Sequence, residues 1–240
     1  MRRYIYFVFL LCCAVNLLLT SCVRQKYVVM DMVHHNPGEA MTESKFLDPS
    51  FLKKNEYGAK VFFLFEAAQF GIDWKSFDPS LFPDTTEAGR WVAEKAEIIH
   101  KKYDAAKKED LQVYCMLDML VLPSLLVEKH RTELTNEQGK LDISKPYTQL
   151  CIRELMKEMF ETFPQLDGLV IRTGETYLHD APYYVGNHPV QNGMYDHITL
   201  INLLREEVCE RRNKKLFYRT WDMGQLHSIP KYYLSVTDSI

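Results

Sequence analysis

The chain lacks a glycine-rich phosphate loop: neither G-x-G-x-x-G nor G-x-x-x-x-G-K-[ST] occurs in its 240 residues. Such loops bring backbone N–H groups close to a phosphate, so their absence argues against a nucleotide- or dinucleotide-binding fold. Cysteine is scarce and unpatterned. Of the six, Cys12, Cys13 and Cys22 lie in the N-terminal stretch, while Cys115, Cys151 and Cys209 are widely spaced. There is no C-x-x-C and no metal-ligand spacing, which leaves buried free thiols as the expectation for the last three. A large charge of either sign is also missing. The formal net charge is −3, which supplies no electrostatic footprint for nucleic acid, so none is expected as a partner. No motif implies a cofactor.

The composition that is present, 47% hydrophobic and 25% charged, suffices for a substantial core in one large domain or two small ones. Aromatic residues make up 12% of the chain and include 14 tyrosines, whose amphipathic rings suit sugar faces as well as interior packing.

Residues 1–22 read as a leader rather than as part of the fold. Arg2 and Arg3 form a positive start, "YIYFVFLLCCAVNLLL" is an apolar run, and "LTSC" ends it at Cys22. Small residues before Cys22 and the polar "RQK" after it look like a bacterial lipoprotein signal, in which cleavage precedes the cysteine and its thiol is lipidated, and they favour that reading over an ordinary signal peptide or a short membrane anchor. Lipid at Cys22 would tether residues 23–240 to a membrane surface, placing the protein at the bacterial cell envelope, periplasmic or outer-surface.

The rest of the chain alternates strand-like and helix-like segments. Strands are predicted at 26–33, 59–67, 111–120, 166–174 and 215–222. Helices are predicted at 48–58, stopped by Gly58; at 85–110, with Thr85 or Thr86 as N-cap and lysines in its last turns; at 144–164; at 194–214; and opening at 229–240. In the 144–164 helix, Leu150, Leu155, Met159 and Phe163 stand near helical spacing. Repeated units with nearly continuous apolar strands predict an α/β fold with a parallel sheet covered by helices. Long polar, aromatic loops follow the strands, and the links back from helix to strand are short. That asymmetry predicts a parallel (β/α) TIM-type barrel with its site on the loops after the strands. A full barrel needs roughly 250 residues or more. About five strand–helix units fit here, so the expectation is an incomplete barrel, the front part of a longer one. The alternative is an open doubly wound sheet complete in five strands.

The ends of the fourth and fifth strands echo each other: "RTGE" at 172–175 and "RTWD" at 219–222. An arginine inside an apolar strand is costly unless it is paired or lines a polar mouth, and here it occurs twice. Glycoside hydrolysis needs two carboxyl groups flanking the bond. Glu175 is the candidate general acid, Asp222 its candidate partner, and Asp118, at the end of the third strand, a weaker third. Tyr177, Tyr183 and Tyr184 would raise the Glu175 pKa by desolvation, and Arg172 would lower it.

The lipoprotein signal, the barrel-like units and the strands "LDGLVIRTGE" and "LFYRTWD" together resemble sugar-cleaving barrel enzymes of Bacteroidetes-type bacteria, of the α-glucuronidase and β-hexosaminidase-like kind. The resemblance implies a catalytic glutamate at the end of the fourth strand, a role that falls on Glu175. Gly174 replaces the aspartate of the hexosaminidase Asp-Glu pair, which departs from their substrate-assisted mechanism. Arg172 and Arg219 would suit a uronic-acid carboxylate, because guanidinium forks bind carboxylates bidentately. In the glucuronidase-like family the base lies on later strands. The substrate class implied is an oligo- or polysaccharide.

His34 and His35 close the first strand. Adjacent strand residues point to opposite faces, so hydrogen bonding to sugar suits them better than sharing one metal ion, and a purely structural role for both stays equally open. His179, Asp180 and His188 form a loose metal possibility without regular spacing. Trp74 and Trp221 follow strands and would stack on pyranose rings, whereas Trp91 falls within a helix, as a core residue. Two further readings stay open: a non-catalytic glycan-binding surface lipoprotein, and an inactive truncated barrel fragment.

Overall fold

The computed structural model describes residues 28–31, 44–63, 66–118, 120–172, 176, 178, 180–187 and 194–219. In chain order the elements are β1 (Met30–Asp31), α1 (Pro49–Lys54), β2 (Ala59–Phe63), α2 (Glu87–Lys108), β3 (Gln112–Asp118), β4 (Val121–Pro123), α3 (Ser124–Lys129), α4 (Arg131–Leu134), α5 (Pro146–Thr162), β5 (Gly168–Arg172), β6 (Tyr184–Gly186), α6 (Met194–Leu204) and β7 (Lys215–Arg219). A π-helical turn, Arg205–Glu210, continues α6.

Five strands form one parallel sheet in the order β1-β2-β3-β5-β7, so each new strand is added on the same side as the last. Crossovers that repeat in one direction with one hand put the described helices on one face of the sheet. The packing agrees. Val92, Ile99 and Tyr103 of α2, Cys151, Leu155 and Met159 of α5, and Leu200 and Leu204 of α6 share one core with Phe62, Val113, Cys115, Leu117, Leu169 and Ile171. The alternate strand residues, Ala59, Val61, Phe63, Tyr114, Met116 and Val170, form a separate, smaller cluster on the opposite face. The doubly wound alternative is thereby corrected, since it needs helices on both faces. A singly wound parallel arc, as in a barrel wall, is what the described strands build.

Local chemistry explains the boundaries. Thr86 caps α2, its Oγ1 accepting the Gly89 N–H at 3.0 Å, and Lys107 and Lys108 stand at the negative end of the helix dipole. Pro146 at the first turn starts α5. The predicted stop at Gly58 is corrected. The first helix ends at Lys54, capped by Asn55, and Glu56 takes the left-handed turn at φ 63°. Leu150 is also corrected: it is exposed, because the buried face of α5 runs through Thr148, Cys151, Ile152, Leu155 and Met156. Leu150 lies five residues from Leu155, well off that stripe at 3.6 residues per turn.

The segments expected to be loops carry structure of their own. β4 and β6 pair antiparallel, and Asn187 closes the region by bonding both the N–H of Leu141, at 2.7 Å, and its carbonyl, at 3.1 Å. Cys115 and Cys151 are buried free thiols, and Cys209 is half-buried. Burial raises both buried thiols to about 12, which keeps them protonated and unreactive. No helix among the described residues is long and apolar enough to cross a membrane.

Candidate functional site

Strand pairing brings Asp118 and Arg172 together. They are register partners at the last positions of β3 and β5. Both fall on the face opposite the helices, two residues beyond Met116 and Val170. The guanidinium grips the carboxylate bidentately, with Nε to Oδ1 at 2.5 Å and Nη2 to Oδ2 at 2.5 Å. Both residues are about 95% buried, and the guanidinium carbon sits 4.7 Å from the centre of the Phe63 ring. A fork-on-carboxylate pair is among the stronger charge-assisted contacts, and in a low-dielectric setting it holds both groups in one geometry. The arrangement is thus a fixed polar anchor where the strands hand over to the loops. The register partner of Arg172 on its other side is position 219.

Glu175, Tyr177, Trp221, Asp222, His34, His35 and Cys22 lie outside the described residues, as do His179 and His188. Asp180 is exposed, and among the described residues no three His, Cys, Asp or Glu side chains gather as a metal site.

Trp74 is corrected. It is fully buried at φ 58°, edge-on to Phe77, and cannot stack on a sugar. Tyr184 is likewise a core ring, stacked on Phe82 and edge-on to Phe70, with its hydroxyl donating to the Gln69 carbonyl at 3.3 Å. Burial raises its pKa. Tyr183 and Tyr184 both meet Trp91, which is half-buried at the core edge. These aromatics pack the loops after β2 and β5 against α2. Beside them, on the loop side, runs an open groove of about 320 Å³ lined by Phe82, Pro83, Pro123, Leu125, Glu128 and Tyr183.

Asp118 as the partner of Arg172 was not readable from spacing, since the two are 54 positions apart. The available signal was a charge at the end of an apolar strand in each, together with the rule that such an arginine needs a partner.

The fold and this rim define an α/β protein with a singly wound parallel sheet and a polar anchor where β3 and β5 end. No protein-family model and no curated protein matches the chain. Among solved structures, the chain is similar to a noncanonic maltogenic alpha-amylase, AmyB, from Thermotoga neapolitana, at 13% identity and a TM-score of 0.44 over 82% of this chain and 44% of that one. It is also similar to the beta-glucosidase from Trichoderma harzianum, at 10% identity and a TM-score of 0.38 over 71% of this chain and 34% of that one. The chain therefore spans less than half the length of either structure.

Proposed function

We propose that the protein is a (β/α)-barrel glycoside hydrolase-like protein acting on glycans, lipid-tethered at Cys22, with Glu175 as general acid. The observation that supports it is the buried Asp118–Arg172 pair, set where neighbouring parallel strands end and three residues before Glu175. In (β/α) barrels that rim is where catalytic groups are placed. Arg172 held rigid by Asp118 gives the following loop a fixed starting point. Asp222, after β7, is the proposed second carboxyl, with Trp221 and Tyr177 as sugar-stacking rings and His34 and His35 as hydrogen-bonding groups.

Arginines at register positions 172 and 219 favour a uronic-acid-bearing glycan, with one qualification from the geometry. Asp118 already occupies one edge of the Arg172 fork. Carboxylate recognition is therefore assigned chiefly to Arg219. The test is hydrolysis of paired aryl glucuronide and aryl glucoside substrates by wild type and Glu175→Gln. The reading requires turnover in wild type and its loss in the variant; unchanged turnover in Glu175→Gln removes Glu175 from the role.

A second reading, glycan binding without chemistry, has its own observation. Among the described strand residues, the face opposite the helices carries one carboxylate, Asp118, and that is bound to Arg172. Hydrolysis by the two-carboxyl route needs a pair. Glycan binding that persists in a Glu175→Gln/Asp222→Asn double variant, with no hydrolysis by wild type, is the outcome this reading expects.

A further inference from the structure

The parallel sheet has two unlike rims. One, where the strands end, carries the Asp118–Arg172 pair and the long loops. The other, where the strands begin and the helices finish, is made of four short spans: 53–58, 107–112, 163–168 and 210–215. Hydrogen bonds tie the first of these spans to the N-terminal strand: the Gly58 N–H bonds the Val29 carbonyl at 3.0 Å, and its carbonyl accepts the Gln112 N–H at 2.9 Å. The same edge continues through Lys215, whose N–H bonds the Asp167 carbonyl at 3.0 Å.

This rim differs in charge from the whole chain. It carries Lys53, Lys54, Lys107, Lys108, Arg211, Arg212, Lys214 and Lys215 against Glu56, Glu109, Asp110, Asp167 and Glu210, and with Glu206 and Glu207, which pair with Arg211 and Arg212, the balance is eight positive groups to seven negative, or +1, where the whole chain is −3. Several of the bases are held in place. Lys53 pairs with Asp110 at 2.9 Å, Lys107 with Asp167 at 2.5 Å, and Arg212 with Glu207 at 2.8 Å. Lys54, Lys108 and Lys215 stand exposed. Beside them, Val28 and Val29 are 40% and 53% exposed, an apolar step at the entry to β1.

Chain length sets the geometry. Cys22 precedes Val28 by six positions, a reach of at most roughly 20 Å even when fully extended. β3, with seven residues, is itself about 23 Å long, and the loops stand beyond its far end. A lipid on Cys22 therefore reaches a bilayer lying against the strand-start rim and falls short of one lying against the loop rim.

We propose that the strand-start rim is the membrane-facing surface of the tethered protein, seated on anionic phospholipid headgroups, with the loop rim turned away from the bilayer toward glycan. This rests on the lipid-anchor reading of Cys22. A lipid anchor reinforced by a basic patch is the combination that gives stable membrane attachment, and the patch also sets orientation.

The test uses the full lipidated chain in vesicles of phosphatidylcholine with phosphatidylglycerol, doped with a headgroup-quencher lipid. A fluorophore is placed through Lys54→Cys, Lys215→Cys or Glu128→Cys in a Cys209→Ser background, Glu128 lying on the loop-side groove. The expected result is several-fold stronger quenching at 54 and 215 than at 128, with the contrast falling in high salt or in phosphatidylcholine alone, because exposed charges are screened within a Debye length. Equal quenching at the three positions, or stronger quenching at 128, overturns the orientation. Flotation of wild type beside Cys22→Ala separates the two ideas. Wild type that floats through Cys22 but shows no positional contrast sinks the orientation alone; wild type that does not float sinks the anchor and the orientation together.

Discussion

Arg172 and Asp118, one at the end of β5 and the other at the end of β3, close a bidentate ion pair beneath the loops, 95% buried and backed by the Phe63 ring. The pair needs the two strands to be neighbours, parallel and in this register. A slip of one residue would turn one of the charges onto the helix-packed face. It therefore specifies register at the rim where the site is proposed.

Removing Asp118 strips a buried guanidinium of its bidentate carboxylate. Asp118→Ala is expected to destabilise the fold by about 3–5 kcal/mol. The double variant Asp118→Leu/Arg172→Met is expected to recover most of that, since a buried pair replaced by apolar groups is often nearly neutral. Urea unfolding of the three proteins measures the difference, and a double variant as weak as the single one would contradict this account of the pair.

Gly168 opens β5 between Tyr114 and Lys215. A Cβ there would stand 2.1 Å from the Lys215 carbonyl oxygen, which is backbone and cannot swing aside. Gly168→Ala is expected to force β5 and β7 apart and cost about 1–3 kcal/mol or more. Gly139→Ala is the useful contrast. It has open space around it but a φ of +72°, so its cost comes from backbone strain alone. Thermal unfolding of both variants reads the ranking, with Gly168→Ala the less stable.

His197 is fully buried on α6 and shares a 2.7 Å hydrogen bond through Nδ1 with the Tyr218 hydroxyl. Burial lowers its pKa to about 4, with the Asp196 carboxylate opposing the shift. The folded pKa is below the unfolded value of about 6.5, so the unfolded chain binds the extra proton first. The contribution is complete above about pH 6.5 and is lost as pH falls toward 4, on the order of 3 kcal/mol in all. Stability of wild type and His197→Gln, followed from pH 7.5 to 4.5, should converge as pH falls. A constant difference across that range would refute the linkage.

Glu175→Gln is expected to lower turnover by about 10²- to 10⁴-fold, the usual worth of a positioned general acid. A leaving group that needs no protonation should restore much of the loss. Hydrolysis of dinitrophenyl and methyl glycosides by the variant measures that recovery, and loss of both to the same degree would assign Glu175 a role other than acid.

Much of the fold was legible because it is written in local pattern. The alternation of apolar runs and amphipathic stretches located β2, β3, β5, β7, α2 and α5. Thr86 was readable as a cap from its place ahead of an amphipathic run. The failures were tertiary. Trp74 follows a strand and reads as a sugar platform, yet the loop after β2 folds it into the core. Tyr184 sits in a loop that reads as polar, but it fills the space between Phe70 and Phe82. Neither outcome follows from spacing, because each depends on which distant surface a loop meets.

Sequence by itself determined the strand–helix alternation, the apolar strands and the need of Arg172 for a partner, since periodicity and the cost of a buried charge act within a few residues of the chain. Only the tertiary structure decided that the partner is Asp118, that the described helices lie on one side of the sheet, and that lysines and arginines from separate spans of the chain meet at the strand-start rim. Those relations join residues far apart in sequence, and they come into being when the strands pair in register.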